Sequence, residues 1–250
     1  MIKDRLFRIM LENYGYQGWW PITSMAGEEG FNSLGYHPGD YTPPHNKAER
    51  FEIIVGALLT QNTSWINVEK AIEHMRMEAI ITPEDILKTP PDKLAFVVKS
   101  SGYYNEKAKK LKRISGFFAD DVKLEKESAF SGIVTREILL SLWGIGKETA
   151  DSILLYAYHY PVFVVDTYTK RILSRLGIIR GSESYDEIQM LFSSEELNAE
   201  KHKFFNEYHA LFVQHAKRYC RKKPVCSGCP LADMCIMRKT GKNIIIGDYR

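Results

Sequence analysis

From Ala48 to His74 apolar residues recur at helical spacing, with Phe51, Ile54, Val55, Leu58, Leu59 and then Ile66 falling on one stripe. The same periodicity returns over 83–98, 105–119, 135–143, 147–158, 167–176, 184–192 and 202–219. Turn chemistry punctuates these stretches at Thr82-Pro83, Thr89-Pro90-Pro91, Ser101-Gly102, Ser131-Gly132, Gly144-Ile145-Gly146, Tyr160-Pro161 and Leu176-Gly177. Val162 to Val165 is β-branched and aromatic but has no partner run, so it reads as a buried extended linker. The expected fold class is all-α. Residues 15–45 are rich in Gly, Pro and aromatics and predict a long ordered loop, a feature that usually carries function. Neither an internal repeat nor a low-complexity tract interrupts the pattern.

Composition adds bounds. The chain has 250 residues, 44% hydrophobic and 26% charged, which suits a globular protein of two lobes. It contains no apolar run long enough to span a bilayer, which argues against a membrane role. A formal net charge of +3 is too small for a global positive field, so any nucleic-acid affinity must come from local clusters. Two such clusters exist: Lys99, Lys107, Lys109, Lys110, Lys112 and Arg113 surround Tyr103 and Tyr104, and Lys217, Arg218, Arg221, Lys222 and Lys223 run into the cysteines. Taken alone, either is ordinarily a solvated helix face.

All four cysteines, Cys220, Cys226, Cys229 and Cys235, lie in one short stretch with spacing C-x5-C-x2-C-x5-C. Soft thiolates so close in sequence suit an iron–sulfur cluster or zinc. Two disulfides are the competing reading. The opening Met1-Ile2-Lys3-Asp4-Arg5 starts no apolar leader, which points to a cytoplasmic chain, where disulfides are rare.

A second chemical signal is the segment Leu142-Trp143-Gly144-Ile145-Gly146-Lys147-Glu148-Thr149-Ala150-Asp151. Its paired glycines allow a tight hairpin between helices, and the second helix then offers unpaired N–H groups to a phosphate. Further on, Asp166 stands directly before the helical run Thr167-Tyr168-Thr169-Lys170-Arg171. An N-cap aspartate ordinarily satisfies helix N–H groups. The same donors and the helix dipole keep it ionised, as a group facing a developing cation must be.

On these residues the chain resembles the helix-hairpin-helix DNA glycosylases of the endonuclease III superfamily, over roughly 47–235. The hairpin at 142–151, the Val164-Val165-Asp166-Thr167-Tyr168-Thr169-Lys170-Arg171 segment and the cysteine loop carry the resemblance. It implies a [4Fe–4S] cluster on Cys220, Cys226, Cys229 and Cys235, with zinc as the alternative, and double-stranded DNA containing a damaged base as partner. Two departures stand out. Five residues, Arg221 to Val225, separate the first cysteines where the family usually has six, and Glu148 occupies the position of the lysine that bifunctional members use. A carboxylate cannot form a Schiff base, and Lys147 points about 100° away on a helix. The resemblance therefore implies a monofunctional glycosylase, without strand-cleaving lyase activity, whose catalytic group is Asp166.

The 3-methyladenine branch of the superfamily has a W-W-P motif, matched by Trp19-Trp20-Pro21, and an early helix matched by Phe51 to Thr63. By motif position Trp19, Trp20, Pro21 and Phe51 become candidates for a ring-lined base pocket. A cationic alkylated purine suits an electron-rich ring face and is a good leaving group. Gln61 and Asn62 are the candidate wedge that fills the gap left by the flipped base, and Tyr103, Tyr104, Lys107, Gly144, Gly146, Lys147 and Thr149 the other candidate DNA contacts. The histidines His37, His45, His159, His209 and His215 are expected only to pack or to face solvent. Glycosylases of mispaired thymine or adenine, or of oxidised bases, are the rivals within the fold, and a non-catalytic DNA-binding homologue is the rival outside enzymology. The implied architecture is two helical lobes: an N-terminal segment, 1–46, packed with a cluster lobe, 161–250, and a hairpin-bearing barrel, 47–160, with Asp166 at the junction. A cytoplasmic, nucleoid-associated monomer is expected.

Overall fold

The computed structural model describes residues 2–192 and 200–241. Its helices run in the order α1 (Ile2–Tyr14), α2 (Lys47–Leu59), α3 (Trp65–Met77), α4 (Pro83–Lys88), α5 (Pro91–Val97), α6 (Tyr104–Phe118), α7 (Arg136–Ser141), α8 (Lys147–Ser152), α9 (Thr167–Leu176), α10 (Tyr185–Met190), α11 (Lys201–Arg218) and α12 (Ile236–Thr240). No β-strand occurs among the described residues, in keeping with an all-α fold. None of their helices is long and apolar enough to cross a membrane. Contacts divide the chain into two units, Trp20–Tyr160 and Met1–Trp19 with Pro161–Arg250.

In the unit Trp20–Tyr160, α2 is the central helix. Asn46 caps it by accepting the Glu49 N–H at 3.0 Å, and the Glu49 carboxylate reaches back to the His45 N–H at 2.7 Å. From Glu49 to Leu59 all but one residue is buried, the pattern of a helix enclosed on every side. Its one guanidinium, Arg50, is satisfied internally, donating to the Ala157 carbonyl at 2.8 Å and the Leu124 carbonyl at 2.6 Å. The expected single helix 48–74 is instead two, because Asn62 takes a left-handed φ of 55° and ends the first. Likewise Thr89-Pro90-Pro91 divides 83–98, and α8 runs on through a fully buried π-helical turn, Ile153–Ala157.

The loop after Trp20 belongs to this unit, which corrects the expectation that all of 1–46 packs with the cysteine lobe. Polar anchors explain why. Glu52 on α2 accepts from the Thr23 N–H and hydroxyl at 2.5 and 2.8 Å, and Arg76 on α3 donates to the Thr23 hydroxyl at 2.7 Å. The Ile22 N–H donates to the Gly35 carbonyl at 2.9 Å, and a side chain at Gly35 would meet the Ile22 oxygen at 2.2 Å, so only glycine fits that crossing. The two ring nitrogens of His37 face the carbonyls of Asp40 and Trp20, 2.6 and 3.1 Å away.

Lys107, expected at a DNA phosphate, is buried instead. Its ammonium donates to the Leu59 carbonyl at 2.8 Å and the Ser101 carbonyl at 2.5 Å, closing the end of α2. Burial pushes this lysine down to about 8. Since its folded value lies below the ordinary lysine range, the unfolded chain binds the extra proton between the two, and the folded state gains stability as pH rises through that window. In denaturant titrations from pH 7 to pH 10, the wild type is therefore expected to gain on Lys107→Met across this window. A constant difference would refute the assignment.

In the other unit, α1 and α9 pack against α11. Leu6 and Met10 form the buried stripe of α1, a helix outside those predicted from the sequence. Between the elements lies an aromatic core. Phe163 stacks on Phe192 with centroids 3.8 Å apart, and Tyr208 stacks on Phe212 at 4.8 Å. Phe163, Val164 and Val165 are buried and extended as expected, and the Gln189 amide holds the Phe163 carbonyl at 2.6 Å. That linker delivers the chain to Asp166.

Candidate active site and cysteine centre

Asp166 caps α9, its Oδ1 accepting the Thr169 N–H at 2.7 Å. It is buried, at 7% exposure. Burial raises the carboxyl, but the His209 ring and the Thr169 N–H outweigh that and bring it below its ordinary value. The group is therefore an anion at neutral pH, held where helix N–H dipoles favour it. His209 Nε2 lies 3.7 Å from Asp166 Oδ2, and the same ring meets Trp19 edge-on with centroids 5.7 Å apart. Helix α11 also fixes the approach to Trp19: Asn206 donates to the Trp19 carbonyl at 2.8 Å, and Glu207 accepts the Gln17 N–H at 2.8 Å.

The other three pocket candidates lie in the unit Trp20–Tyr160 and are buried. Trp20 packs against Trp65 at 5.2 Å and Tyr156 at 5.1 Å, while Phe51 is 1% exposed on α2. Trp19 alone of the four is half-buried.

The hairpin is built as its glycines require. Gly144 has φ of 88°, and a side chain there would strike the Lys110 stem at 2.7 Å. Gly146 is the extended cap of α8, with Gly146, Lys147 and Glu148 exposed behind it. Gln61, expected as part of a wedge, is a brace: its amide donates to the Gly144 carbonyl at 3.1 Å and the Thr149 hydroxyl at 3.0 Å, and Lys110 donates to its oxygen at 2.5 Å. Thr149, expected on the DNA, is buried in that contact. Asn62 is exposed at the turn beside it, and Tyr103, in a left-handed conformation with φ of 46°, is 73% exposed, with Tyr104 half-buried. Lys112 donates to the Leu87 and Thr89 carbonyls, so much of the basic run at 99–113 serves the fold. Below the hairpin, Arg136 on α7 holds Asp151 on α8 through two bonds, at 2.7 and 3.1 Å.

The four cysteines are free thiols that line one cavity of about 30 Å³ together with Arg175, His215 and Leu231. Arginines from α9 hold the short first loop: Arg171 donates to the Cys220 carbonyl at 2.7 Å, and Arg175 to the carbonyls of Arg221 and Lys222 at 2.7 and 3.0 Å. Arg175 also donates to Cys220 Sγ at 3.3 Å. His215 Nε2 is 3.9 Å from Cys229 Sγ, and Tyr14 holds its other nitrogen at 2.8 Å. Among the described residues no three His, Cys, Asp or Glu side chains converge tightly enough for a single metal ion. An all-thiolate ring around a buried space, with a guanidinium on one sulfur, is a donor set that fits an iron–sulfur cluster. His209 and His215, expected only to pack or to face solvent, are buried and lie beside Asp166 and Cys229, through contacts with residues distant in sequence.

Residues 55–195 match the profile of the HhH-GPD superfamily of base excision DNA repair proteins. A Methanocaldococcus jannaschii protein provisionally named a DNA repair glycosylase is 41% identical, covering 94% of this chain and 96% of its own. Endonuclease III of Thermotoga maritima is 30% identical over 79% of this chain and 88% of its own. Among solved structures, the H. pylori 3-methyladenine DNA glycosylase bound to 1,N6-ethenoadenine aligns with a TM-score of 0.63 and 30% identity, covering 87% of this chain and 96% of that one.

Proposed function

Since the chain belongs to the HhH-GPD superfamily of base excision DNA repair proteins, we propose that it hydrolyses the N-glycosidic bond of alkylated purines such as 3-methyladenine in duplex DNA, leaving an abasic site. One observation carries the reading: Asp166, an ionised carboxylate at a helix start, and the half-buried Trp19 ring both meet His209. The anion stabilises positive charge as it develops on the sugar and orients the attacking water. The aromatic face attracts a cationic base by about 0.5–2 kcal/mol once water is excluded. The similar H. pylori enzyme, whose name and bound ligand are alkylated adenines, supports that substrate class.

Glu148 supports hydrolysis without strand cleavage, because it offers no amine to the sugar. For duplex DNA, the contacts in this reading are the exposed Asn62 as wedge, exposed Tyr103 with half-buried Tyr104, and, on the hairpin, half-buried Gly144 with exposed Gly146 and Lys147. Gln61, Thr149 and Lys107 act behind them as braces. Affinity then falls with salt by roughly 0.9 log units per neutralised phosphate per log unit. The test is a panel of duplexes bearing 3-methyladenine, 7-methylguanine, ethenoadenine, 8-oxoguanine or a thymine mismatch, with released base measured by chromatography and borohydride added in parallel. Release from the alkylated duplexes without covalent trapping is expected. Preference for the mismatch or oxidised base, or a borohydride adduct, refutes the reading.

In the same reading Cys220, Cys226, Cys229 and Cys235 hold a [4Fe–4S] cluster, which organises the loop beside α9 and supplies no step of the hydrolysis. Anaerobically purified protein is expected to be brown with about four irons per chain, and Cys226→Ala to lose the colour. Zinc in place of iron overturns the assignment.

A further inference from the structure

Helix α11 presents one side chain to both halves of the chemistry. The His209 ring is 4% exposed, with one edge on Trp19 at 5.7 Å and its Nε2 3.7 Å from Asp166 Oδ2. The other carboxylate oxygen, Oδ1, is committed to the Thr169 N–H at 2.7 Å. Each oxygen of the anion therefore has its own neighbour, and the plane of the carboxylate is set by α9 on one side and α11 on the other. We propose that His209 is a positioning residue, one that orients the Asp166 carboxylate and couples it to Trp19, so that a base stacking on that ring is registered at the anion. This deepens the excision reading and rests on it.

The choice of imidazole follows from what the anion must do. A lysine or arginine at this position would carry a permanent charge and offset the negative field that the sugar cation needs. Imidazole carries no permanent charge, and its ring packs on indole while Nε2 faces Oδ2 across 3.7 Å, longer than a hydrogen bond. The depressed Asp166 value has His209 among its causes, in agreement with that contact. The charged groups nearby are placed otherwise: Glu207 accepts the Gln17 N–H at 2.8 Å, and the Lys217 ammonium lies 6.0 Å above the Trp19 ring. Asn206 fixes the Trp19 backbone. Three side chains of α11 thus hold the segment Gln17–Trp19 in register with the carboxylate.

His209→Phe keeps a ring against Trp19 and removes the nitrogen, His209→Asn is too short to reach Oδ2, and His209→Gln retains an N–H at about the right distance. On the methylated duplex, the Phe and Asn variants are expected to lose turnover by roughly 10–100-fold with KM little changed. Their acid limb should also move to higher pH, and Gln should restore most of both. Carbon-13 NMR titration of the Asp166 carboxyl in DNA-free protein gives a second reading that needs no substrate. Its midpoint should rise in the Phe and Asn variants. Equal behaviour of Phe, Asn and Gln, or an unmoved carboxyl midpoint, overturns the positioning role. Failure of the wild type to release any alkylated base overturns the excision reading instead, and leaves the NMR test of His209 standing.

Discussion

Asp166→Asn is expected to lower release of alkylated base by roughly 10²–10³-fold, the cost of losing one preorganised charge or donor facing a transition state. Asparagine caps helices about as well as aspartate, so the Thr169 N–H keeps an acceptor and α9 keeps its start. The substitution therefore isolates the charge: duplex binding should stay close to wild type, and the melting temperature should fall only by the contribution of the ionised carboxyl. The pH profile carries the same signature. Because His209 and the Thr169 N–H hold the carboxyl below its ordinary value, activity should persist into acid below the usual carboxylate range before its limb falls. The stability sign agrees: a depressed carboxyl stabilises the fold above its unfolded value and loses that contribution as pH falls through the folded one. Base release by the Asn variant at the wild-type rate would remove Asp166 from the chemistry.

What the sequence made legible was local. The hairpin glycines and the Asp166 cap follow from turn and capping chemistry within a few residues, and both stand where expected. The cysteine spacing was equally readable, and the four thiols do line one cavity even with the shortened first loop. Tertiary contacts were not legible. Lysine looks the same in a sequence whether it faces phosphate or, like Lys107, caps a buried helix end. Gln61 reads as an exposed wedge until the Gly144 carbonyl is seen opposite its amide. His209 lies on a helix whose apolar periodicity is plain, but nothing in that period marks the one ring that meets Asp166. Helix α1 lies outside the predicted helices although its Leu6 and Met10 recur at helical spacing and form its buried stripe.

Arg136→Met should be the most destabilising of the substitutions considered. Arg136 and Asp151 join α7 to α8 through Nε–Oδ1 and Nη2–Oδ2 bonds of 2.7 and 3.1 Å, and the Asp151 side chain has no solvent exposure while that of Arg136 keeps 25%. Removing the guanidinium takes two hydrogen bonds from a carboxylate that water cannot reach, and breaking such a pair from one side costs about 3–5 kcal/mol. Against a total stability of about 5–15 kcal/mol that is a large fraction, and at about 2–4 °C per kcal/mol it lowers the melting temperature by roughly 6–20 °C. The asymmetry of burial adds a second expectation. Asp151→Leu strands a cation that can still turn toward solvent, so it should cost less than Arg136→Met, and the double variant Arg136→Met/Asp151→Leu should recover most of the loss. Because the pair ties together the two helices that flank Gly144 and Gly146, Arg136→Met should also weaken duplex binding at temperatures where the protein remains folded. If Arg136→Met melts with the wild type, or the double variant is worse than either single one, the pair does not hold the hairpin.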